Sequence, residues 1–93
     1  MNEIILDGSS MTSKTDAHKY IKDQLNLPAY YGENLDALWD LLSTYSKTIA
    51  IYVINEENLN ENLGEYGKLL LDVFQDAAYE NDNIHFSIIT DNN

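Results

Sequence analysis

The sequence predicts an α/β domain in which a three-stranded parallel sheet is covered by about four helices. Three observations carry this expectation: short apolar runs at 4–6, 49–54 and 84–88, apolar residues at helical spacing between them, and turn-forming residues at the junctions. Helical connections between successive strands imply right-handed crossovers and therefore parallel pairing. The 93 residues leave room for one core, so 1–93 reads as a single domain.

Ile4, Ile5 and Leu6 form an apolar run that Asp7-Gly8-Ser9-Ser10 stops, which suits a buried first strand. Thr15 is expected to cap a helix in which Ala17, Tyr20, Ile21 and Leu25 recur, and Pro28 to end it, because a proline pushes the preceding residue out of the helical region. Asn34 is a good N-cap for a second helix carrying Leu35, Leu38 and Leu42. Thr48 to Ile54 is almost unbroken in its apolarity, so it reads as a strand buried on both faces and central in the sheet. Asn55 to Leu63 is a polar connection with room for a helical turn, and Asn55 to Asn62 lacks the glycine and ligand spacing of a calcium loop. From about Gly64, the residues Tyr66, Leu69, Leu70, Val73, Phe74 and Ala77 make a helical stripe ending near Tyr79, where Asn81-Asp82-Asn83 breaks it. Ile84, Phe86 and Ile88 then alternate with His85 and Ser87, giving a last strand with one wetter face.

Charge narrows the function. Sixteen Asp and Glu against five Lys and Arg give a formal net charge of -11. Such a chain repels nucleic acids and anionic membranes, whose binding depends on Lys and Arg, and its natural complement is a basic protein. The absence of cysteine excludes disulfides, thiolate metal sites and cysteine nucleophiles. His18 and His85 have no metal-ligand spacing and read as surface or packing residues, so no metal or cofactor is expected. Met1 to Asp7 lacks the basic start and long apolar run of a signal peptide, and no stretch reaches transmembrane length, so the expected location is the cytoplasm.

On the second helix each residue turns by about 100°, which sets Asp36, Asp40 and Ser43 opposite the leucines and Trp39 on the border. Carboxylates at i and i+4 approach to about 6 Å and repel each other. Asp36 is favoured by the helix macrodipole because it lies in the first turn, whereas Asp40 is not. Neither has a Lys or Arg three or four residues away, so the face carries uncompensated charge beside a large aromatic. Asp76 and Glu80 repeat the i, i+4 spacing on the last helix, and Glu80 lies near its C-terminus, where negative charge is unfavourable. Paired carboxylates also run glycoside hydrolysis, but Asp36 and Asp40 share one convex helix face and lack a cleft.

The stretch Leu25 to Leu42, LNLPAYYGENLDALWDLL, closely resembles the signature segment of the barstar family of ribonuclease inhibitors. The likeness continues through Val73-Phe74-Gln75-Asp76-Ala77 and the final strand, covering nearly the whole chain. It implies a non-enzymatic intracellular inhibitor, monomeric when free, that binds a basic, secreted, barnase-like ribonuclease one to one. By the same resemblance Tyr30, Asn34, Asp36, Trp39, Asp40, Thr44, Tyr45, Asp76 and Glu80 face the partner. Asp40 would occupy the phosphate site of the nuclease, Asp36 would engage other cations of the cleft, and Tyr30 and Trp39 would exclude water. Thr44-Tyr45 stands where the family's best-known pattern has Gly-Trp, Ser46-Lys47-Thr48 is a residue shorter and lacks its proline, and Asp76 replaces a longer Glu. These departures bear on which nuclease is recognised, and an immunity protein against a different secreted nuclease toxin is the alternative on the same scaffold.

Overall fold

A computed structural model describes residues 2–90. The strands are β1 (Asn2–Asp7), β2 (Ile49–Ile54) and β3 (Ile84–Ile88), and the helices α1 (Lys14–Leu25), α2 (Leu35–Ser43), α3 (Glu56–Leu63) and α4 (Glu65–Glu80), with a single 3-10 turn at Gly8–Ser10. The sheet runs β1-β2-β3 and is parallel throughout, Ile4 pairing with Ile51 and Ile51 with Phe86. The expected α/β fold with a central second strand is therefore the observed one.

The core joins the inner face of the sheet, with Leu6, Ile49, Ile51, Val53 and Ile84, to Ile21, Leu38, Leu42, Leu59, Leu70 and Phe74 from the helices. Phe74 stacks on Phe86 at 5.3 Å between centroids and ties α4 to β3. The two apolar strands are less enclosed than their sequences suggest. β1 is an edge strand in which Leu6 is buried but Ile5 is 56% exposed, because it has a sheet neighbour on one side and helices on one face. In β2, Ile49, Ala50 and Ile51 are buried, while Tyr52 and Ile54 are only half-buried.

Helix boundaries follow local hydrogen bonding. α1 starts before the expected Thr15 cap, because the Ser13 hydroxyl accepts from the Asp16 amide at 3.1 Å. It ends before Pro28, since Asn26 takes the left-handed conformation (φ 53°) and the Leu27 amide returns to the Lys22 carbonyl at 2.9 Å. Asn55 to Leu63 holds a full helix, α3, whose Leu59 is buried and anchors an otherwise polar surface. In α4 the buried stripe is Gly67, Leu70, Leu71, Phe74 and Ala77, and Leu69 is instead 48% exposed. Gly8 cannot be replaced cheaply: a Cβ there would collide with the Asn55 carbonyl oxygen where the ends of β1 and β2 meet.

Candidate partner-binding face

The loop from Asn26 to Asn34 and helix α2 build this face together. Asn34 caps α2 as expected, its Oδ1 accepting from the Ala37 amide at 2.8 Å and its Nδ2 donating to the Gly32 carbonyl at 3.2 Å. Both the oxygen and the nitrogen of its amide are thus committed to the fold. Leu38 and Leu42 are fully buried and Leu35 is half-buried, so Asp36 and Asp40 are left exposed on the other side, with Trp39 half-buried between. No hydrogen bond or ion pair engages the Asp36 or Asp40 carboxylates among the described residues. The same holds for Asp76 and Glu80, exposed on α4.

Tyr30 and Tyr31 are adjacent in the chain and take opposite places: Tyr31 is 4% exposed, Tyr30 79%. The anchor is His18 on α1, 1% exposed, whose Nδ1 lies 2.5 Å from the Tyr31 hydroxyl and whose Nε2 lies 2.6 Å from that of Tyr66 on α4. A neutral imidazole donates from one nitrogen and accepts at the other, so it satisfies both phenols at once. Burial holds His18 below the ordinary imidazole pKa, with the charge of Glu33 opposing, and pushes the Tyr31 phenol upward. His18 is thus a packing residue, as its isolation in the sequence implies, but one that fixes the loop and turns Tyr30 outward.

A second clamp holds the far end of α2. Asn81, which follows Glu80, donates from Nδ2 to the Leu42 carbonyl at 2.9 Å and to the Tyr45 carbonyl at 3.0 Å, and Asn83 Nδ2 reaches Tyr45 at 3.1 Å. These bonds add a donor to the Leu42 carbonyl, which also accepts from the Tyr45 amide at 3.2 Å, and engage the Tyr45 carbonyl just past the helix, bringing the end of α4 beside Thr44 and Tyr45. The sequence marks Asn81 and Asn83 only as helix breakers, since nothing local signals partners 36 to 39 positions away. Tyr30, Thr44 and Tyr45 line one groove, whereas Asp76 and Glu80 stand apart on α4, connected through the α2 and α4 packing. Among the described residues no group of His, Asp or Glu side chains could hold a metal ion, and no helix is long and apolar enough to cross a membrane.

Fold and face together describe a small acidic α/β protein that exposes carboxylates with no hydrogen bond or ion pair among the described residues. The chain belongs to the barstar family: the family described as Barstar (barnase inhibitor) matches residues 1–91. It is also 40% identical over 81 residues to a Bacillus subtilis (strain 168) protein named "Putative ribonuclease inhibitor YrdF", a match covering 86% of this chain and 89% of that one.

Proposed function

We propose that this chain is a cytoplasmic, non-enzymatic inhibitor of a basic, secreted, barnase-like ribonuclease, bound one to one by the free monomer. The observation that carries the reading is the set of exposed carboxylates on α2, Asp36 and Asp40, flanked by Trp39 and preceded by the exposed Tyr30, with no hydrogen bond or ion pair among the described residues. Family membership and the name of the Bacillus subtilis relative support it. A nuclease cleft aims Arg, Lys and His at a phosphodiester, and Asp40 supplies a carboxylate for the phosphate position. Asp36 meets further cations, Tyr30 and Trp39 cover the contact and keep water out, and Asn34, Thr44, Tyr45, Asp76 and Glu80 form the outer ring. The net charge of -11 steers a cationic partner onto this face and makes the encounter sensitive to salt.

The test is inhibition of purified guanyl-type ribonucleases, barnase among them, at low and high ionic strength. The expected result is stoichiometric inhibition whose association rate falls as salt rises. Full activity of every such nuclease in the presence of excess chain at low salt would overturn the reading.

A further inference from the structure

Beside the acidic helix lies a groove of about 340 Å³, between the 26–30 loop and the C-terminal end of α2. Leu25, Leu41, Tyr30 and Tyr45 give it apolar and aromatic walls, Thr44 and Lys47 stand at it, and no carboxylate lines it. In a chain with sixteen acids this is a change of chemistry within one face. Of the five lysines, Lys14, Lys19 and Lys22 lie on α1 and Lys68 on α4, so Lys47 alone borders the groove. It is exposed and has no ion pair or hydrogen bond among the described residues.

The groove is also preformed. Tyr45 is pinned through its carbonyl by Asn81 and Asn83, the Thr44 hydroxyl donates to the Asp40 carbonyl at 2.9 Å, and Asn26 closes α1 on the opposite wall. Binding therefore requires little ordering of its walls. A lone ammonium on a surface that meets a cationic nuclease is repelled unless the partner places a negative charge against it.

We propose that this groove is a specificity subsite of the inhibitory face, and that it takes an acidic side chain of the nuclease. The carboxylate meets the Lys47 ammonium and the aliphatic stem lies against Tyr30 and Tyr45. The proposal rests on the ribonuclease-inhibitor reading and adds a selection rule: nucleases with Asp or Glu at the matching point of the rim are preferred over those with Lys or Arg.

The sign of one substitution separates this from general charge effects. If Lys47 acts only through net charge, Lys47→Glu makes an acidic inhibitor more acidic and speeds its association with every basic nuclease. If the groove selects an acid, the same change weakens binding to the preferred nuclease. The experiment measures dissociation constants of the parent chain, Lys47→Glu, Lys47→Arg and Asp40→Ala against a panel of guanyl-type ribonucleases of differing rim charge, including barnase. For the member that the parent inhibits best, Lys47→Glu is expected to weaken binding by about tenfold or more, with Lys47→Arg within about threefold of the parent. Lys47→Glu binding every member as tightly as the parent, or more tightly, overturns the subsite while Asp40→Ala still reports on the inhibitory face. A parent chain that inhibits no member overturns both.

Discussion

Tyr30 and Tyr31 divide the molecule between them. Tyr31 belongs to a buried cluster with His18 and Tyr66, in which each ring nitrogen has a phenol and each of these phenols a nitrogen. Tyr30 belongs to a surface where Asp36 and Asp40 have no partner among the described residues and stand at a spacing that makes them repel. Polar groups invested in folding are paired internally, because an unpaired buried donor or acceptor costs about 1–3 kcal/mol. Polar groups held for a partner stay unpaired, and their cost is kept small by exposure. The contrast predicts that the two regions fail differently, one by unfolding and the other by losing affinity.

The largest effect is expected at Asp40. Truncating one member of a desolvated ion pair leaves the other charge buried and uncompensated, at about 3–5 kcal/mol. Asp40→Ala should therefore weaken nuclease binding by roughly a hundredfold to several thousandfold, mainly through faster dissociation. Its stability should stay within about 0.5 kcal/mol of the parent, since the exposed carboxylate makes no hydrogen bond or ion pair among the described residues. Stopped-flow binding and urea denaturation of the same sample measure both. A variant that unfolds early but binds normally once folded would erase the distinction between the clusters.

His18 should show the reverse pattern. His18→Ala removes the shared partner of two phenols, Tyr31 buried and Tyr66 half-buried, and leaves a cavity, a loss of about 2–4 kcal/mol in denaturant unfolding. Acid should narrow the gap between the two chains. The pKa of His18 is depressed in the folded state, so below the ordinary value of 6.5 the unfolded chain binds more protons than the folded one. The contribution of His18 is then fully present above pH 6.5 and declines as pH falls below it, while the variant lacks that dependence. A gap that widens toward acid pH would mean that His18 is charged in the folded protein.

What could be read from the sequence follows the range of the interactions. Apolar periodicity and the Asn34 cap are local, and the three strands, α2 and α4 lie where they point. The start of α1 is ambiguous in the sequence because Ser13 and Thr15 are both good caps, and the choice depends on which hydroxyl meets the Asp16 amide. At its end Pro28 is the louder signal, although Asn26 in the left-handed region acts first. α3 looks like little more than a connection in the sequence because one buried leucine, Leu59, gives no periodic stripe. Edge and centre could not be told apart for Ile4 to Leu6 without the sheet order. In the candidate site, Asp36, Trp39 and Asp40 were visible as a helical pattern, while the clamps from His18, Asn81 and Asn83 join residues 13 to 48 positions apart and have no local mark.

The smallest expected effect tests whether the acidic face costs stability at all. Asp36 lies in the first turn of α2, where the macrodipole favours it, and Asp40 in the last, where backbone carbonyls converge and oppose it. Both share the same mutual repulsion, worth about 0.2–0.5 kcal/mol. Asp40→Asn removes the repulsion and the dipole penalty together, and it should stabilise the free chain by about 0.5 kcal/mol in urea denaturation. Asp36→Asn trades relief of repulsion against loss of a favourable dipole contact and should change stability little or slightly lower it. Nearly isosteric changes, four residues apart on one helix, are thus expected to differ in sign. If Asp40→Asn proves less stable than the parent, Asp40 has a partner within the fold and the face is not held open for another protein. If it gains stability while losing affinity, the carboxylate with the weakest folding rationale is the one the partner most needs.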